Sequence, residues 1–267
     1  MKSLTDIARR IYRAMPDNAL RRRCSAWWFR RAAGGALRRC EWRDGVFFVE
    51  TSSGVVVRSV REFDPEPLIT NMPRLPLRPG GVVLDLGGNI GVTALYAAAC
   101  VDGERGGRVV VFEPDSENLT VLRENLDLNP AGRCVTVIPK GVSDRSGRMT
   151  FQMGGNYTSS LVRTNYIEAD EPAYRTVEVD VTTVDDACAE LGLPRVDAVK
   201  MDIEGSEVAA LRGARQTLQT HHPFLVIETH TVEGRATMEE VVKELRQAGY
   251  ANIQLGEGPT PMVMAQA

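Results

Sequence analysis

From residue 80 onward, short apolar runs alternate with longer segments in which apolar residues recur every three or four positions. The short runs are typical of buried strands, and the periodic segments are typical of helices that pack on a sheet. This alternation predicts an α/β fold with a doubly wound, mostly parallel sheet. The predicted strands cover residues 81–87, 108–114, 134–142, 195–203, 223–230, 250–256 and 261–265. The predicted helices cover residues 91–100, 116–128, 183–191, 206–219 and 236–248.

Residues 1–78 follow a different pattern and are predicted to form an N-terminal extension ahead of a main domain at 79–267. Apolar residues at helical spacing, with arginines between them, predict two helices within the first 33 residues. Residues 41–60 predict a small β-hairpin structure, with strands joined by glycine-containing turns. A proline-rich segment just before residue 80 marks the boundary.

A β-rich insertion, 144–181, interrupts the alternation of strands and helices, and its strands are predicted at 148–153 and 175–181. The polar, glycine-containing segment 151–166 has the character of a lid over a substrate. Its hydroxyl and amide side chains at 156–159 could hydrogen-bond a polyhydroxylated acceptor. An ordinary surface hairpin is the alternative interpretation.

Composition places the chain among ordinary globular proteins, with 43% apolar and 25% charged residues. The five cysteines include no C-x-x-C pair, which disfavours a zinc site or a disulfide framework and fits a reducing cytosol. The N-terminus lacks the apolar core of a signal peptide, and no run approaches the roughly 18 apolar residues of a membrane span. A cytoplasmic protein is therefore predicted.

The net charge of −3 hides a strong asymmetry along the chain. Residues 1–43 hold twelve Lys/Arg and three Asp/Glu, so the remaining 20 basic and 32 acidic residues form an acidic body. A basic arm of this kind could bind nucleic acid or anionic lipid, or dock on an acidic surface of its own body or of a second copy in a homodimer. Trp27, Trp28 and Phe29 add the option of peripheral membrane contact.

A glycine turn, Asp85-Leu86-Gly87-Gly88-Asn89-Ile90-Gly91, ends the first strand of the main domain. Such a turn lets backbone approach a ligand closely, although glycines that merely pack a helix on a strand look the same. Glu113, followed by Pro114, ends the second strand, where an acid can accept hydrogen bonds from both ribose hydroxyls of a nucleoside. NAD sites share that acid, but Asp85 would face a pyrophosphate badly and suits a cationic group such as a sulfonium amino acid. These residues favour S-adenosylmethionine over NAD.

A Gly-Val-Ser-Asp turn ends the third strand of the main domain. It could hold an adenine, with Val142 against the face of the base and Ser143 or Asp144 at its edge. An ordinary hairpin turn built from the same residue types is the alternative.

The segment Lys200-Met201-Asp202-Ile203-Glu204-Gly205-Ser206-Glu207 follows an apolar run and presents three carboxylates. Lys200 and Met201 belong to the predicted strand, and alternation along it places Asp202 and Glu204 on one face. Ligands of open α/β sheets lie beyond the carboxyl ends of the strands, so both acids are expected beside the glycine turn. Ser206 is a plausible N-cap of the next helix, and Glu207 is favourable in its first turn, so Glu207 is assigned a structural role.

His230 and Glu228 end another predicted strand and share one of its faces. An alcohol needs a general base as it attacks a methyl group, and Asp202, Glu204 and His230 are the candidates. A histidine in the core or at the rim of the sheet is the alternative for His230. Two carboxylates and an imidazole could also hold Mg²⁺, but no acid pair forms a dedicated metal loop, so no metal site is predicted.

The segments "DLGGNIG", "VFEPDSENLTVLRENLDLN", "GVSDRSG", "VKMDIEGSEVAALRGA" and "PFLVIETH" occur in an order that resembles the FkbM family of methyltransferases, over residues 80 to about 230. The resemblance implies a class I methyltransferase core with a Rossmann-like, seven-stranded sheet and S-adenosyl-L-methionine as cofactor. It also implies, in the usual case, methylation of a hydroxyl on a sugar or another small molecule. The chain departs from the family at Gly88, where alanine is commoner, which should be harmless, and in its arginine-rich arm, which leaves the substrate open.

Carried over by position, the resemblance implies two sets of site residues. The expected cofactor-binding residues are Asp85, Gly87, Gly88, Asn89, Gly91, Glu113, Pro114, Val142, Ser143 and Asp202. The residues expected around the methyl-transfer site are Asp202, Glu204, Glu228 and His230.

An O-methyltransferase that acts on a small-molecule hydroxyl is therefore the leading hypothesis. The second hypothesis is an RNA methyltransferase whose basic arm grips phosphate. Two absences argue against it. The segment "DIEG" stands where amino-methylating enzymes carry an Asn/Asp-Pro-Pro-aromatic turn, and the chain lacks the Pro-Cys dipeptide that cytosine-C5 methyltransferases use as a nucleophile. A non-catalytic binding module is the third, and the intact glycine turn and Glu113 argue against it.

Overall fold

The computed structural model describes residues 37–43, 46–51, 54–59, 75–153, 175–256 and 261–267. The two helices predicted within the first 33 residues and most of the predicted lid lie outside these ranges. None of the helices in the described ranges combines the length and the hydropathy that a bilayer span requires.

Strands and helices alternate along the main domain as the hydrophobic pattern predicts. In chain order the strands are β1 (Leu37–Arg43), β2 (Val46–Thr51), β3 (Val56–Ser59), β4 (Val82–Leu86), β5 (Arg108–Phe112), β6 (Val135–Ile138), β7 (Gly141–Val142), β8 (Gly147–Met153), β9 (Arg175–Thr182), β10 (Ala198–Met201), β11 (Phe224–Glu228), β12 (Thr231–Val232), β13 (Arg235–Ala236), β14 (Asn252–Gly256) and β15 (Met262–Gln266). The α-helices are α1 (Val92–Val101), α2 (Ser116–Asp127), α3 (Val184–Glu190), α4 (Glu207–Arg212), α5 (Arg215–His221) and α6 (Met238–Gln247). Short 3₁₀ helices span Gly103–Arg105 and Pro130–Cys134.

Seven strands form the central sheet, in the order β14-β15-β11-β10-β4-β5-β6. Within it β15 runs antiparallel to both of its neighbours, and the other strands are parallel to one another. The chain moves outward from β4 to β6 and then crosses back to β10, which reverses the strand order beside β4. This is the predicted doubly wound sheet, and the reversal places a ligand crevice at the carboxyl ends of β4 and β10.

Helices cover both faces of the sheet, so its central strands are buried on both sides. All five residues of β4 are buried, and its apolar residues belong to two hydrophobic clusters, one on each face of the sheet. Leu84 and Leu86 pack with apolar side chains of α3, α4, α5 and α6, whereas Val83 packs with those of α1 and α2. Burial on both faces explains why these strands appear in the sequence as continuous apolar runs.

Two of the predicted elements are divided in the structure. The strand predicted at 134–142 is β6 followed by β7, which leaves the central sheet to pair with β9. Pro139 lies between them and has no N–H to continue the ladder. The helix predicted at 206–219 is α4 followed by α5, with Gly213 packed so closely that a Cβ would lie 2.2 Å from the carbonyl oxygen of Ser143.

The hairpin formed by β12 and β13 was not predicted. Glu233 and Gly234 form its turn, with φ of 48° and 81°. Two positive φ angles are typical of the tight turns that suit a two-residue hairpin loop. The hairpin returns the chain from the end of β11 to the start of α6, where Thr237 and His230 exchange hydrogen bonds.

The described part of the extension is a three-stranded antiparallel sheet, β1-β2-β3, whose free edge docks on α2. Asn125 accepts a hydrogen bond from the N–H of Arg58 at 2.6 Å and donates to its carbonyl oxygen at 3.0 Å. Asn129 does the same with Val56, at 2.8 and 2.6 Å. The two amides thus occupy the edge of β3 as a neighbouring strand would, and they protect it from pairing with another chain.

Gly88 stands where the family more often has alanine, a departure expected to be harmless, and its surroundings in this chain require glycine. A Cβ at Gly88 would lie 2.0 Å from Cγ2 of Val111, which belongs to β5. Val111 is completely buried and β-branched, so its side chain has little room to move. The close packing of Val111 on this position therefore allows only glycine at residue 88.

The docking of the extension is testable at Asn125. Replacement by alanine removes the partners of the half-buried donor and acceptor of Arg58, so Asn125→Ala should lower the free energy of unfolding by about 2–3 kcal/mol. The midpoint of urea unfolding measures this loss. Thr120→Ala, on the exposed side of the same helix, serves as the control and should change the midpoint little. Equal midpoints for the two variants would contradict the docking role.

A double-mutant cycle tests the contact between Gly88 and Val111. Gly88→Ala should destabilise the fold by about 1–3 kcal/mol through overpacking. Adding Val111→Ala should restore part of that loss, so the double variant is more stable than the sum of the single losses allows. Strict additivity of the unfolding free energies would show that the two positions do not share space.

Candidate active site

The glycine turn follows β4 and leads into α1, as predicted. Gly87 has φ of 83°, a left-handed conformation that favours glycine, and a Cβ there would lie 1.9 Å from the carbonyl oxygen of Asp202. The N–H groups of Gly87 and Gly88 both donate to the carbonyl oxygen of Phe112, at 3.1 and 2.9 Å. The turn is therefore held between the carboxyl ends of β5 and β10.

Glu113 follows β5 and places its carboxylate against the glycine turn. The N–H of Asn89 donates to Oε2 at 2.7 Å, and the N–H of Asp115 donates to Oε1 at 2.9 Å. Burial raises the pKa of Glu113 to about 7, and the two backbone hydrogen bonds partly oppose this rise. Pro114 separates Glu113 from Asp115, whose side chain caps the N-terminus of α2. The acid predicted to meet a ribose is thus fixed beside the turn.

Asp85 is completely buried beneath the turn. The parallel register of β4 and β10 sets it opposite Lys200, whose ammonium lies 3.4 Å from Oδ1 of Asp85. That ammonium also donates a hydrogen bond to the carbonyl oxygen of Gly87 at 2.9 Å. Burial opposes the charge on Lys200, but the surrounding carboxylates, led by Asp85, raise its pKa above the ordinary value. Lys200, which was predicted only as part of a strand, is therefore the cationic neighbour of Asp85. Contact of Asp85 with a ligand stays a prediction.

The third predicted turn follows β7. Val142 and Ser143 are each 2% exposed, and Val142 belongs to the hydrophobic cluster that also contains Leu84. The N–H of Ser143 donates to the carbonyl oxygen of Thr182 in β9 at 3.0 Å. Asp144 is exposed and pairs with the next residue, an arginine. Contact of these residues with an adenine stays a prediction.

The three candidate bases converge beyond the carboxyl ends of β10 and β11. β10 ends at Met201, earlier than predicted, so the strand alternation stops before the carboxylates and a turn positions them instead. Glu204 has φ of 52°, a left-handed conformation that is strained for a glutamate. Nε2 of His230 lies 3.6 Å from Oδ1 of Asp202 and 3.5 Å from Oε2 of Glu204.

Glu207 belongs to this group, so it does more than serve the start of α4, the role expected for it. Its carboxylate is completely buried, and Oε1 lies 2.8 Å from Nδ1 of His230. The N–H of Gly205 donates to Oε1 at 2.8 Å, and the hydroxyl of Thr237 donates to Oε2 at 3.3 Å. Ser206 occupies the N-cap position of α4 as expected, but its buried hydroxyl makes no hydrogen bond to the described residues. No local pattern joins Glu207 to a histidine 23 positions later.

The charges of this group shift the proton affinities of its members. Burial opposes a proton on the ring, but the hydrogen bond to Glu207 and the surrounding carboxylates raise the pKa of His230 to about 9. Burial also raises the pKa of Glu204 to about 8, where His230 opposes the rise and Asp202 adds to it. Strongly shifted groups in a crevice are typical of catalytic and binding sites.

Glu228 ends β11 and completes a set of three metal-ligating side chains. One oxygen of Asp202, one oxygen of Glu228 and one nitrogen of His230 all lie within 4.8 Å of one another. Two carboxylates and an imidazole are donors that a divalent cation can use. The sequence contained these residue types but predicted no metal site.

Comparison with known proteins agrees with the geometry. The family model for the methyltransferase FkbM domain matches residues 85–251. The 31-O-demethyl-FK506 methyltransferase FkbM of Streptomyces tacrolimicus is 30% identical over 201 residues, which cover 65% of this chain and 74% of that protein. The hexuronic acid methyltransferase AglP of Haloferax volcanii is 30% identical over 152 residues, 56% of each chain. The 2-O-methyltransferase NoeI of Sinorhizobium fredii is 27% identical over 156 residues, 53% of this chain and 60% of that protein.

A solved structure supports the fold. Methyltransferase FkbM from Methylobacillus flagellatus KT superposes with a TM-score of 0.53 and 22% identity, over 74% of this chain and 47% of that one. At this identity the likeness shows the class I methyltransferase fold alone. The family match spans more than half of the chain and contains both the glycine turn and the carboxylate cluster. The chain therefore belongs to the FkbM family of methyltransferases and uses S-adenosyl-L-methionine as its cofactor.

Proposed function

We propose that the chain transfers the methyl group to a hydroxyl of a small molecule, a sugar or a glycosylated or other secondary metabolite. The observation that carries this proposal is the convergence of Asp202, Glu204 and His230 next to the glycine turn. Hydroxyl methylation needs a proton acceptor at the point of transfer, because an alcohol is a poor nucleophile until it loses its proton, and the carboxylates of this group can accept one. The names of two relatives specify O-methylation, and a third names a hexuronic acid.

The described residues fit the cofactor. The bound cofactor supplies a methyl group on a positively charged sulfur. The glycine turn has no side chains at the positions where a Cβ would collide, so its backbone is open to close approach by a ligand. The carboxylate of Glu113 is held in place and could accept hydrogen bonds from ribose hydroxyls. In this proposal Asp85, Asn89 and Gly91 border the methionine part, and Val142, Ser143 and Asp144 lie by the adenine.

The acidic residues at the ends of β10 and β11 would handle the proton. The bound cofactor would supply the methyl group to the acceptor oxygen, and the proton of that hydroxyl would pass to a carboxylate of this group. Both oxygens of Asp202 face a basic group, with Lys200 3.8 Å from one and His230 3.6 Å from the other. Glu204 is presented on a turn with strained backbone, a feature that persists where a side chain must be held at a fixed point. We therefore assign the role of base to Glu204.

A panel of acceptors tests the proposed reaction. The full-length chain is incubated with methyl-tritiated cofactor and with p-nitrophenyl β-D-glucuronide, neutral methyl glycosides, a demethylated macrolide or total RNA. Label that transfers to a glycoside or to the macrolide, and is stable to alkali as an ether is, supports the proposal. Label that accumulates only in RNA would overturn it in favour of the nucleic-acid hypothesis.

Cofactor affinity should depend on pH through Glu113. Since its pKa is about 7, the carboxylate is ionised above that value and accepts hydrogen bonds from hydroxyls more strongly. Affinity for S-adenosylmethionine, measured by calorimetry, should therefore rise about fivefold or more from pH 6 to pH 8. In Glu113→Gln the affinity should be weak at both pH values and this rise should vanish. Glu178→Gln, an exposed glutamate on β9, is the matched control. An unchanged pH profile in Glu113→Gln would contradict the role.

The role of Glu204 predicts a separation of binding from turnover. Glu204→Gln should lower kcat on the acceptor found in the panel by about 10²-fold or more, since the amide accepts no proton. Its dissociation constant for the cofactor should stay within about twofold of the unmodified protein. Turnover at the unmodified rate would show that another group takes the proton.

A further inference from the structure

Three potential metal ligands lie close together at the carboxyl ends of two neighbouring strands. Asp202 follows β10, and Glu228 and His230 lie at the end of β11, which pairs with β10 in parallel. Their donor atoms lie within 4.8 Å of one another, a spacing compatible with ligands around a single ion bound at about 2.1–2.5 Å. Since the three belong to two strand ends, the sheet itself fixes their separation.

The ring of His230 is oriented by a carboxylate, as the rings of metal-ligating histidines commonly are. Its ring is buried, and Nδ1 lies 2.8 Å from a carboxylate oxygen of Glu207, which can only accept, so Nδ1 carries a proton. Nε2 then faces the carboxylates, and the nearest oxygens of Asp202 and Glu204 are 3.6 and 3.5 Å from it. A carboxylate that orients the far nitrogen of a ligating histidine is a recurring feature of metal sites.

The charge of the region favours a cation. Carboxylates outnumber basic groups here, and removal of charge from water without a partner is costly. The carboxylates are Asp85, Asp202, Glu204, Glu207 and Glu228, and the basic groups among the described residues of the cluster are Lys200 and His230. Lys200 pairs with Asp85 and lies 3.8 Å from Asp202, which leaves an excess of negative charge around the ring of His230.

We propose that Asp202, Glu228 and His230 bind one divalent cation, with Glu207 as the positioning residue of the ring. Two carboxylate oxygens and one imidazole nitrogen suit a six-coordinate ion such as Mn²⁺ or Mg²⁺, whose other positions are open to water and an acceptor hydroxyl. The ion's role rests on the proposed function: it holds and polarises the hydroxyl while Glu204 takes the proton. The site itself does not depend on which acceptor is used.

Mn²⁺ binding tests the site without an acceptor. The full-length chain, stripped with EDTA and saturated with S-adenosylmethionine, is titrated with MnCl₂ while electron paramagnetic resonance follows free Mn²⁺. One site per chain is expected. Asp202→Asn, Glu228→Gln and His230→Gln should each weaken binding more than tenfold, and Glu207→Gln should weaken it by about 10–100-fold through the ring alone. Glu178→Gln should bind Mn²⁺ as the unmodified chain does.

The histidines provide a direct readout. The chain has three, and Mn²⁺ should broaden the ring signals of His230 by paramagnetic relaxation while sparing His221 and His222, which lie at the C-terminal end of α5. The unfolding midpoint of each variant shows that it is folded. Absence of Mn²⁺ binding, or binding that all four variants retain, would overturn the site. Binding of Mn²⁺ without methylation of any panel acceptor would instead overturn the proposed function and leave the site standing.

Discussion

The parallel pairing of β4 with β10 is the constraint on which the site depends. In this register Asp85 stands opposite Lys200, and the buried ammonium connects that carboxylate to the carbonyl oxygen of Gly87. Burial of an ion pair carries a desolvation cost, and the hydrogen bond from the ammonium to Gly87 offsets part of that cost. The same register brings the carbonyl oxygen of Asp202 against Gly87, so the cofactor turn and the acidic cluster are positioned by a single contact between two strands.

The acidic cluster draws on elements that lie far apart in the chain. Glu207 belongs to the first turn of α4, His230 follows β11, and Thr237 precedes α6. The β12–β13 hairpin joins the last two, because it returns Thr237 to the backbone of His230. One imidazole is thereby fixed from three directions, which a site needs when it must hold a reacting group within a fraction of an ångström. The β12–β13 hairpin, which the sequence analysis did not predict, therefore helps to position the imidazole of His230.

Elements with local causes were predictable. The apolar runs that became β4, β5 and β11 are buried on both faces, and the caps and turns around α1 and α2 depend on neighbouring residues. The error in the helix predicted at 206–219 has a non-local cause, because α4 and α5 separate where Gly213 packs on Ser143. The requirement for glycine at position 88 is non-local as well, because Val111 of β5 imposes it. Periodicity along the chain carries no information on such contacts, since they are made across the sheet.

The sequence by itself determined the fold class, the glycine turn, the acid at Glu113, and the presence of Asp202, Glu204 and His230 at strand ends, because each follows from residue type and local spacing. Only the tertiary structure decided how these side chains pair. It gave Asp85 a partner in Lys200, joined Glu207 to His230, and brought Glu228 within reach of Asp202. The physical reason is that charges and hydrogen bonds act over a few ångströms in space, and the register of parallel strands, joined through intervening helices, sets which residues come that close.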